Sequence, residues 1–192
     1  MARKEMHNVI WLDSVDSTNN EVKRNVDVLG NFSVIAAREQ TAGRGQRGNV
    51  WLTEPGMNLT FSIVIKYEQL QVKMKAVDQF EISEMTALSV IDLLAEYGIE
   101  ARIKLPNDIY VGDRKVCGIL IEHSLQGEHL SHSIIGVGLN VNQLIFDPSL
   151  PNPTSMQLCL AGAQEQLNIA NLLEQFMDIF CRHIQKIISR DF

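Results

Sequence analysis

Short β-rich stretches outnumber helical ones in this sequence of 192 residues, and the two kinds follow one another in no regular order. The β-rich stretches, which are apolar and often β-branched, cover residues 9–12, 33–39, 58–67, 102–110, 115–122 and 133–141. A strict alternation of strands and helices would predict a parallel sheet of the Rossmann type. The irregular order instead predicts an α+β fold, with a mixed, mostly antiparallel sheet that is flanked by helices.

Three helices are predicted beside these strands. The first begins at Ser17 or Thr18, either of which can cap a helix, and is expected to end near Gly30. The second is indicated by apolar residues at every third position, Ile82, Met85, Leu88 and Ile91, and Gly98 is expected to stop it. The third carries an apolar stripe between residues 172 and 188. Because 45% of the residues are hydrophobic, a chain of this length can bury its own core, and we expect one domain over residues 1–192.

Composition and spacing exclude several classes of protein. The net charge is −6 and no basic block is present, so non-specific binding of nucleic acid is not expected. The three cysteines and five histidines show no spacing typical of a metal site, and no protein-bound metal is expected. No run reaches the about 20 apolar residues of a membrane span, and residues 1–8 lack the apolar core of a signal peptide. We therefore expect a cytoplasmic protein that does not enter membranes.

A glycine-rich loop, Gly43-Arg44-Gly45-Gln46-Arg47-Gly48, fits the pattern G-x-G-x-x-G. In dinucleotide-binding proteins such a loop leads directly into a helix, whose N-terminus holds the pyrophosphate. Here a Pro55-Gly56 turn and a strand follow, which disfavours that interpretation. The loop with Val50 and the stretch Ile63-Val64-Ile65-Lys66 also imitates protein kinases, but the sequence has no H-R-D-L-x-x-x-N and no D-F-G. Neither nucleotide-binding family explains the loop.

The residues of the loop themselves favour an anion site. The three glycines allow the backbone to approach a ligand closely and to present N–H donors. Arg44 and Arg47 can pair with phosphate oxygens, and Trp51, a little further on, offers a flat apolar face for a ring. A mobile surface turn with solvated arginines is the alternative interpretation.

Further signals lie later in the chain. Pro106 fixes a turn after Lys104, so this lysine can be aimed reproducibly at a carboxylate and a phosphate. Asn140 and Asn142 end an apolar strand and could bind a ligand or cap a turn. Glycines inside strands often mark a bulge or the close approach of a ligand, and two strands contain them, at Gly118, Gly136 and Gly138. An exposed strand lysine and glycines that only pack against a helix are the alternatives.

Four segments, taken together, carry a family resemblance. They are residues 16–19, residues 39–51, residues 104–108 followed by 115–122, and residues 136–142. They are similar, in the same order, to D-S-T-N, Q-x-x-G-R-G-R-x-G-x-x-W, K-W-P-N-D followed by K-x-x-G-I-L-x-E, and G-I-G-x-N-x-N. These are motifs of the catalytic domain of biotin protein ligases, which this chain therefore resembles over residues 13–142.

The resemblance implies a fold related to class II aminoacyl-tRNA synthetases and a reaction in two steps. The carboxylate of biotin attacks the α-phosphate of ATP, with Mg²⁺ on the phosphates, and gives biotinyl-5′-AMP and pyrophosphate. A lysine of a biotin carboxyl carrier domain then attacks the mixed anhydride, which forms an amide and releases AMP. The implied ligands are biotin, ATP and Mg²⁺, and the implied partner is the carrier domain of a biotin-dependent carboxylase.

The resemblance also implies roles for single residues. Lys104 and Arg44 are expected to be catalytic, because the attack of one anion on another needs positive charge between them. The ureido ring of biotin is expected to be held by Ser17, Thr18, Asn19 and Gln40. The loop is expected to close over the adenylate and exclude water through Gly43, Arg44, Gly45 and Gln46. Room for the bicycle and tail is expected at Gly118, Gly136 and Gly138, with Trp51 and Asn140 near the adenylate.

Two residues and the extent of the chain depart from the family pattern. Leu105 stands where the family has Trp before Pro-Asn-Asp, and Gln46 replaces the second Arg of the loop. Residues 1–192 are expected to lack the helix-turn-helix and the small C-terminal β-barrel of longer members, so DNA binding is not expected and a weak homodimer is left open. The alternatives are a lipoate or octanoate ligase or transferase of the same fold, whose R-R-x-x-G-G-G-x-V-x-H-D loop is absent here, and a non-catalytic biotin-binding module.

Overall fold

A seven-stranded mixed sheet forms the centre of the computed structural model, which describes residues 7–106, 108–160 and 165–189. The strand order is β1-β2-β3-β7-β6-β5-β4. The strands β1 and β2 are parallel and all other neighbouring pairs are antiparallel. The strands are β1 (Asn8–Val15), β2 (Ser33–Gln40), β3 (Leu59–Lys66), β4 (Arg102–Lys104), β5 (Asp108–Val111), β6 (Arg114–Gln126) and β7 (His129–Leu139). The predicted fold class, a mixed and mostly antiparallel sheet with flanking helices, is confirmed.

The helices cover the two faces of the sheet unequally because side chains alternate along each strand. Phe61 and neighbouring odd-numbered residues of β3 belong to the large core, where the ring of Phe61 lies 5.0 Å from that of Phe176, edge to face. Val64 faces the other way and joins a smaller cluster around Val22. The two long helices therefore cover one face and the short first helix the other. The helices are α1 (Thr18–Arg24), α2 (Phe80–Glu96), α3 (Met156–Cys159) and α4 (Ile169–Ile188).

The first helix is shorter than the sequence predicts. It begins after Ser17 as expected, but it ends at Arg24 and not near Gly30. The N–H of Asn25 donates to the carbonyls of Glu21 and Val22, and turns follow. Residues 25–28 alternate Asn or Asp with Val, which are poor helix formers, so nothing local favours another turn of helix. The predicted stop of α2 at Gly98 is confirmed by its positive φ of 71°.

The stretch 102–110, predicted as one extended segment, is a hairpin of two short strands, β4 and β5, with Leu105 and Pro106 in the turn. Asn107, which belongs to the corresponding motif, lies outside the described residues. Because β5 is short, it pairs with β6 only over residues 114–118, whereas β7 pairs with β6 over residues 117–126. In the described part of the chain, β6 therefore has an edge without a strand partner beyond residue 118.

No helix of the described ranges combines the length and the apolar character that crossing a bilayer requires.

Candidate active site

A cavity of about 270 Å³ lies on the α1 side of the sheet, above three glycines. Gly136 and Gly138 are on β7, and Gly118 is directly opposite Gly138 on β6. The strands run through these glycines without a bulge, since the register between β6 and β7 shifts only at Ser124 and Leu125. The glycines thus form a floor that has no side chains of its own, and the register shift between β5 and β6 comes before Gly118, at Ile109 and Tyr110. The volume of about 270 Å³ is just below the roughly 300–1,000 Å³ of ligand pockets and suits one small molecule.

One end of the cavity is polar and fixed by hydrogen bonds. Ser17, Thr18 and Asn19 at the start of α1 are 2–3% exposed, and all three line the cavity. The backbone N–H of Thr18 donates to Gln40 Oε1 at 2.8 Å. The hydroxyl of Ser62 is within 2.8 Å of Thr18 Oγ1 and 2.6 Å of Asn19 Oδ1. These groups form a cradle of buried donors and acceptors whose geometry does not depend on solvent.

The side chain of Asn19 occupies the space where a side chain at Gly136 would have to lie. Its Nδ2 donates to the carbonyl of Leu120 at 3.3 Å and to Glu122 Oε2 at 2.9 Å. A Cβ at Gly136 would lie 2.2 Å from Asn19 Oδ1, which is far inside contact distance. A side chain at position 136 would therefore displace Asn19 from this network.

The glycine-rich loop is a small hairpin that closes one side of the cavity. The N–H of Trp51 donates to the carbonyl of Gly43 at 2.9 Å, and the N–H of Gly45 donates to that of Asn49 at 2.7 Å. Arg47 has a left-handed backbone with φ of 55°, and it lines the cavity together with Gln46 and Asn49. The loop is thus an ordered part of the site and not only a surface turn.

The indole of Trp51 lies on the glycine floor. A Cβ at Gly138 would be 2.4 Å from Trp51 Cε2, and one at Gly118 would be 3.0 Å from Cζ3. Gly43 is equally constrained, because its Cβ would lie 2.3 Å from the carbonyl oxygen of Trp51. The Nε1 of Trp51 is buried and has no hydrogen-bond partner among the described residues. A buried donor in this state costs about 1–3 kcal/mol, so a ligand acceptor at this point would be stabilised.

Arg44 links the loop to the sheet and to α1. Its Nη2 lies 3.0 Å from Glu122 Oε1, and its Nη1 donates to Glu122 Oε2 at 3.1 Å and to Asn20 Oδ1 at 2.8 Å. Burial by itself raises the pKa of Glu122, but hydrogen bonds from Arg44 and Asn19 outweigh it, and the pKa is lowered. The Arg44–Glu122 pair therefore stays ionised and holds the loop at the rim of the cavity.

Lys104, which the resemblance implies is catalytic, lies outside the walls of the first cavity in this structure. This residue ends the edge strand β4, and its Nζ lies 3.3 Å from Tyr110 Oη and 4.4 Å from the centre of that ring. Lys104 is exposed and does not line the cavity. The turn at Pro106 aims it along the hairpin, because β4 and β5 pair directly and bring Tyr110 beside it.

The lysine that does line the cavity is Lys115, at the start of β6. Its Nζ lies 2.7 Å from Asp108 Oδ1 and 5.5 Å from the centre of the Trp51 ring. A Cβ at Gly118 would be 3.4 Å from the same Nζ, which places the ammonium beside the glycine floor. The sequence contained one signal for it, since Lys115 opens the segment that also contains Gly118 and Glu122.

A second cavity of about 310 Å³ adjoins the first on the far side of Trp51. Lys115, Trp51, Asn49 and Val50 line both cavities. The rest of its wall comes mainly from the segment after β7, Ser149, Leu150, Pro151 and Pro153, with Leu52 and Asn140. The buried Asn140 donates from Nδ2 to the carbonyl of Thr154 at 2.9 Å, so it fixes this segment.

A wider groove of about 800 Å³ begins at the unpaired edge of β6. Gln46, Pro106 and Ile119 line both the groove and the first cavity. The groove is mainly apolar, and its wall includes Phe80 and Leu105, whose exposed fractions are 61% and 84%.

Most predicted site residues meet at the first cavity. Gly43, Lys104 and Asn140 are the predicted residues that do not line it, and Gly43 and Asn140 lie in the walls of adjoining cavities. The fold adds further residues that the sequence interpretation had given no role, and these are Asn49, Ser62, Asp108, Lys115 and Glu122. No group of three or more His, Cys, Asp and Glu side chains in the described ranges is placed to hold a metal ion.

Comparison with known proteins identifies the family. The model of the biotin/lipoate A/B protein ligase family matches residues 11–140, which include the cradle, the loop and the glycine floor. The chain belongs to this family.

Relatives within the family are named biotin ligases. The bifunctional ligase/repressor BirA of Escherichia coli is 30% identical over 155 residues, which are 80% of this chain and 47% of that protein. A biotin--[acetyl-CoA-carboxylase] ligase of Paracoccus denitrificans is 33% identical over 153 residues, 76% of this chain and 61% of that protein. The chain thus spans about half the length of the BirA proteins that it matches, 47% in E. coli and 54% in Bacillus subtilis.

Solved structures agree with this assignment. The biotin protein ligase of Aquifex aeolicus, in complex with biotin and ATP, matches with a TM-score of 0.79 and 26% identity, over 96% of this chain and 73% of that one. A biotin protein ligase-like protein of unknown function from Silicibacter shares the fold with a TM-score of 0.71 at 8% identity.

Proposed function

We propose that this chain activates biotin as biotinyl-5′-AMP at the expense of ATP and transfers it to a lysine of a biotin carboxyl carrier domain. The observation that carries the proposal is the pair of adjoining cavities that share Trp51 and Lys115. One cavity has a polar cradle above a floor of glycines, and the other has a mainly apolar wall. The positively charged side chain of Lys115 lines both cavities.

The first cavity fits biotin. The cradle of Ser17, Thr18 and Asn19 offers buried donors and acceptors to a neutral ureido ring, and no charged group forms part of it. The indole of Trp51, which lies on the glycine floor, offers a flat apolar surface to the bicycle and tail. The relatives and structural neighbours named biotin protein ligases support this choice over lipoate.

The second cavity fits the adenylate part of ATP. In the proposed first step a carboxylate oxygen of biotin bonds to the α-phosphorus, and the bond from this phosphorus to the bridging oxygen breaks, so that pyrophosphate leaves. Both reactants are anions, and charge that is fixed in advance lowers the barrier. We assign this charge to Lys115 rather than to Lys104, because only Lys115 lies at the junction of the cavities. Mg²⁺ would enter with ATP and screen the pyrophosphate as it leaves.

The wide groove fits the second substrate, the carrier domain. The lysine of the carrier must reach the acyl carbon, so the domain has to dock where a surface runs into the first cavity. The groove does so, because it shares Gln46, Pro106 and Ile119 with that cavity. The exposed Phe80 and Leu105 would be covered on docking. This reaction would take place in the cytoplasm, where ATP and the carrier meet.

Exchange of labelled pyrophosphate into ATP tests the first step. Exchange should require biotin and should not proceed with lipoate, since the cradle and the floor are built for a compact polar bicycle. Equal exchange with lipoate would contradict the assignment of the substrate. Biotin binding without any exchange would show a non-catalytic binding module.

A further inference from the structure

We propose that Glu122 is the positioning residue that couples the occupancy of the biotin cradle to closure of the glycine-rich loop. The proposal rests on the proposed function and deepens it. It is based on the carboxylate of Glu122, which accepts hydrogen bonds both from the cradle and from the loop. Glu122 Oε2 accepts from Asn19 Nδ2 in the cradle at 2.9 Å, and both oxygens accept from Arg44 in the loop, at 3.0 and 3.1 Å.

The position of Glu122 on the sheet brings its carboxylate within reach of both Asn19 and Arg44. It lies on β6 on the same face as Gly118 and Leu120, since residues alternate along the strand. That face carries the cavity, so the carboxylate lies beside the floor and 29% of its side chain is exposed. A two-pronged pair between a guanidinium and a carboxylate fixes distance and orientation together, which a single lysine would not do.

Both terminal nitrogens of Arg44 are used in its contact with Glu122. Of its two terminal nitrogens, Nη2 is bonded to Glu122, and Nη1 is shared between Glu122 and Asn20. Asn20 is itself held, because its Nδ2 donates to Asp16 at 2.9 Å, and Arg24 binds the same carboxylate. Arg44 therefore acts here as the anchor of the loop to the body of the protein, and the position of the loop depends on Glu122.

The coupling follows from the shared carboxylate. A ring bound in the cradle restrains Asn19, Asn19 restrains Glu122, and Glu122 restrains Arg44 and the loop. Without the carboxylate, Arg44 loses its charged partner, and the loop is free to open while the adenylate is bound. The adenylate should then leave the site faster, although no group that touches the reacting atoms has been changed.

The rate of release of biotinyl-5′-AMP tests the coupling. Glu122→Gln keeps the size and an acceptor for Asn19 but removes the charge, and release should be about tenfold faster, because charge-assisted hydrogen bonds are stronger than neutral ones. Arg44→Ala should speed release at least as much. The double variant should release no faster than Arg44→Ala alone, since both changes break one contact. Effects that multiply in the double variant would overturn the proposal.

A second measurement needs no substrate and separates this proposal from the proposed function. Trypsin should cut after Arg47 faster in Glu122→Gln than in the unchanged protein, because the loop opens more often. Asp113→Asn is the matched control, since it removes a carboxylate that is paired with Arg102 but is 99% exposed and does not line the cavity. If trypsin cut Glu122→Gln and the control equally fast, the proposed role of Glu122 in holding the loop would be overturned. Absence of biotin-dependent exchange in the unchanged protein would overturn the proposed function alone.

Discussion

Lys104 and Lys115 carry the same charge but lie in different surroundings, and of the two only Lys115 lines the first cavity. The ammonium of Lys104 lies against Tyr110 at the edge of the sheet, whereas that of Lys115 is held by Asp108 next to Trp51. Neutralisation of two reacting anions depends on distance, so the two residues form a matched pair for experiment.

Lys115→Ala is expected to lower the rate of adenylation by a factor on the order of 10², as for loss of a single transition-state donor. Lys104→Ala is expected to change it by less than about fivefold, or roughly 1 kcal/mol. Single-turnover formation of biotinyl-5′-AMP measures both, and the unfolding midpoint of each variant shows whether the fold is kept. A loss at Lys104→Ala as large as that at Lys115→Ala would contradict our choice of lysine.

His123 makes the stability of the fold depend on pH. Its Nδ1 lies 2.7 Å from the hydroxyl of Ser133, which is fully buried, and burial lowers the pKa of this histidine below its usual value of 6.5. The unfolded chain therefore takes up a proton at a higher pH than the folded one, and stability is present above pH 6.5 and is lost as the pH falls below it.

Urea unfolding at pH 7.5 and 5.5 tests this effect. The free energy of unfolding should decrease toward the lower pH in the unchanged protein, and the decrease should be smaller in His123→Gln. Part of it should remain, because burial, with a smaller contribution from Lys66, also lowers the pKa of His132. The same decrease with and without His123 would show that this histidine titrates alike in the folded and unfolded chains.

At the scale of the element, the glycine-rich loop carries a neutral amide at one position where the family motif has a charged guanidinium. Gln46 stands where the resemblance leads one to expect Arg, and it lines both the first cavity and the groove. The next residue, Arg47, lines the same cavity from a left-handed backbone. A guanidinium is thus already present at this rim, so the loop keeps a cation beside the cavity where we propose that the adenylate forms.

Gln46→Arg is accordingly expected to slow the release of biotinyl-5′-AMP by less than about tenfold. Arg47→Ala is expected to speed release by about tenfold or more, since a charge-assisted hydrogen bond contributes roughly 1.5–3 kcal/mol. The dissociation rate of the adenylate measures both changes. Slowing by a hundredfold in Gln46→Arg would mean that Arg47 does not compensate.

At the scale of the whole molecule, the short strand β5 leaves open the sheet edge where we propose that the carrier domain docks. Because β5 ends early, the edge of β6 is open, and the groove there runs into the cavity. The two proposed steps of the reaction can therefore be separated by mutation, since Phe80 and Leu105 line the groove and not the first cavity.

Phe80→Ser is expected to raise the KM for the carrier by about tenfold, because burial of a large apolar side chain contributes roughly 1.5–3 kcal/mol. Biotin-dependent pyrophosphate exchange, which does not involve the carrier, is expected to keep its rate. Val28→Ser is the control, since Val28 is 83% exposed and lies outside the groove. An unchanged KM in Phe80→Ser would place the docking surface elsewhere.

The sequence by itself determined those features that depend on near neighbours in the chain. Apolar and often β-branched stretches predicted the long strands, the three-residue period predicted α2, and Gly98 predicted its end. The order of the elements predicted the fold class. The motifs predicted which segments surround the cavity, because each motif is a local pattern of glycines and polar residues that is visible in the sequence alone.

Only the tertiary structure decided which side chains in those segments meet. Lys104 and Lys115 both occur in motifs, and strand pairing alone separates them, since β4 carries one to the sheet edge and β6 carries the other to the floor. Glu122 and Arg44 are far apart in the chain, yet the crossing of the loop over β6 makes them partners. Such contacts depend on register and on strand length, which are set by packing of the whole sheet and not by the residues next to the contact.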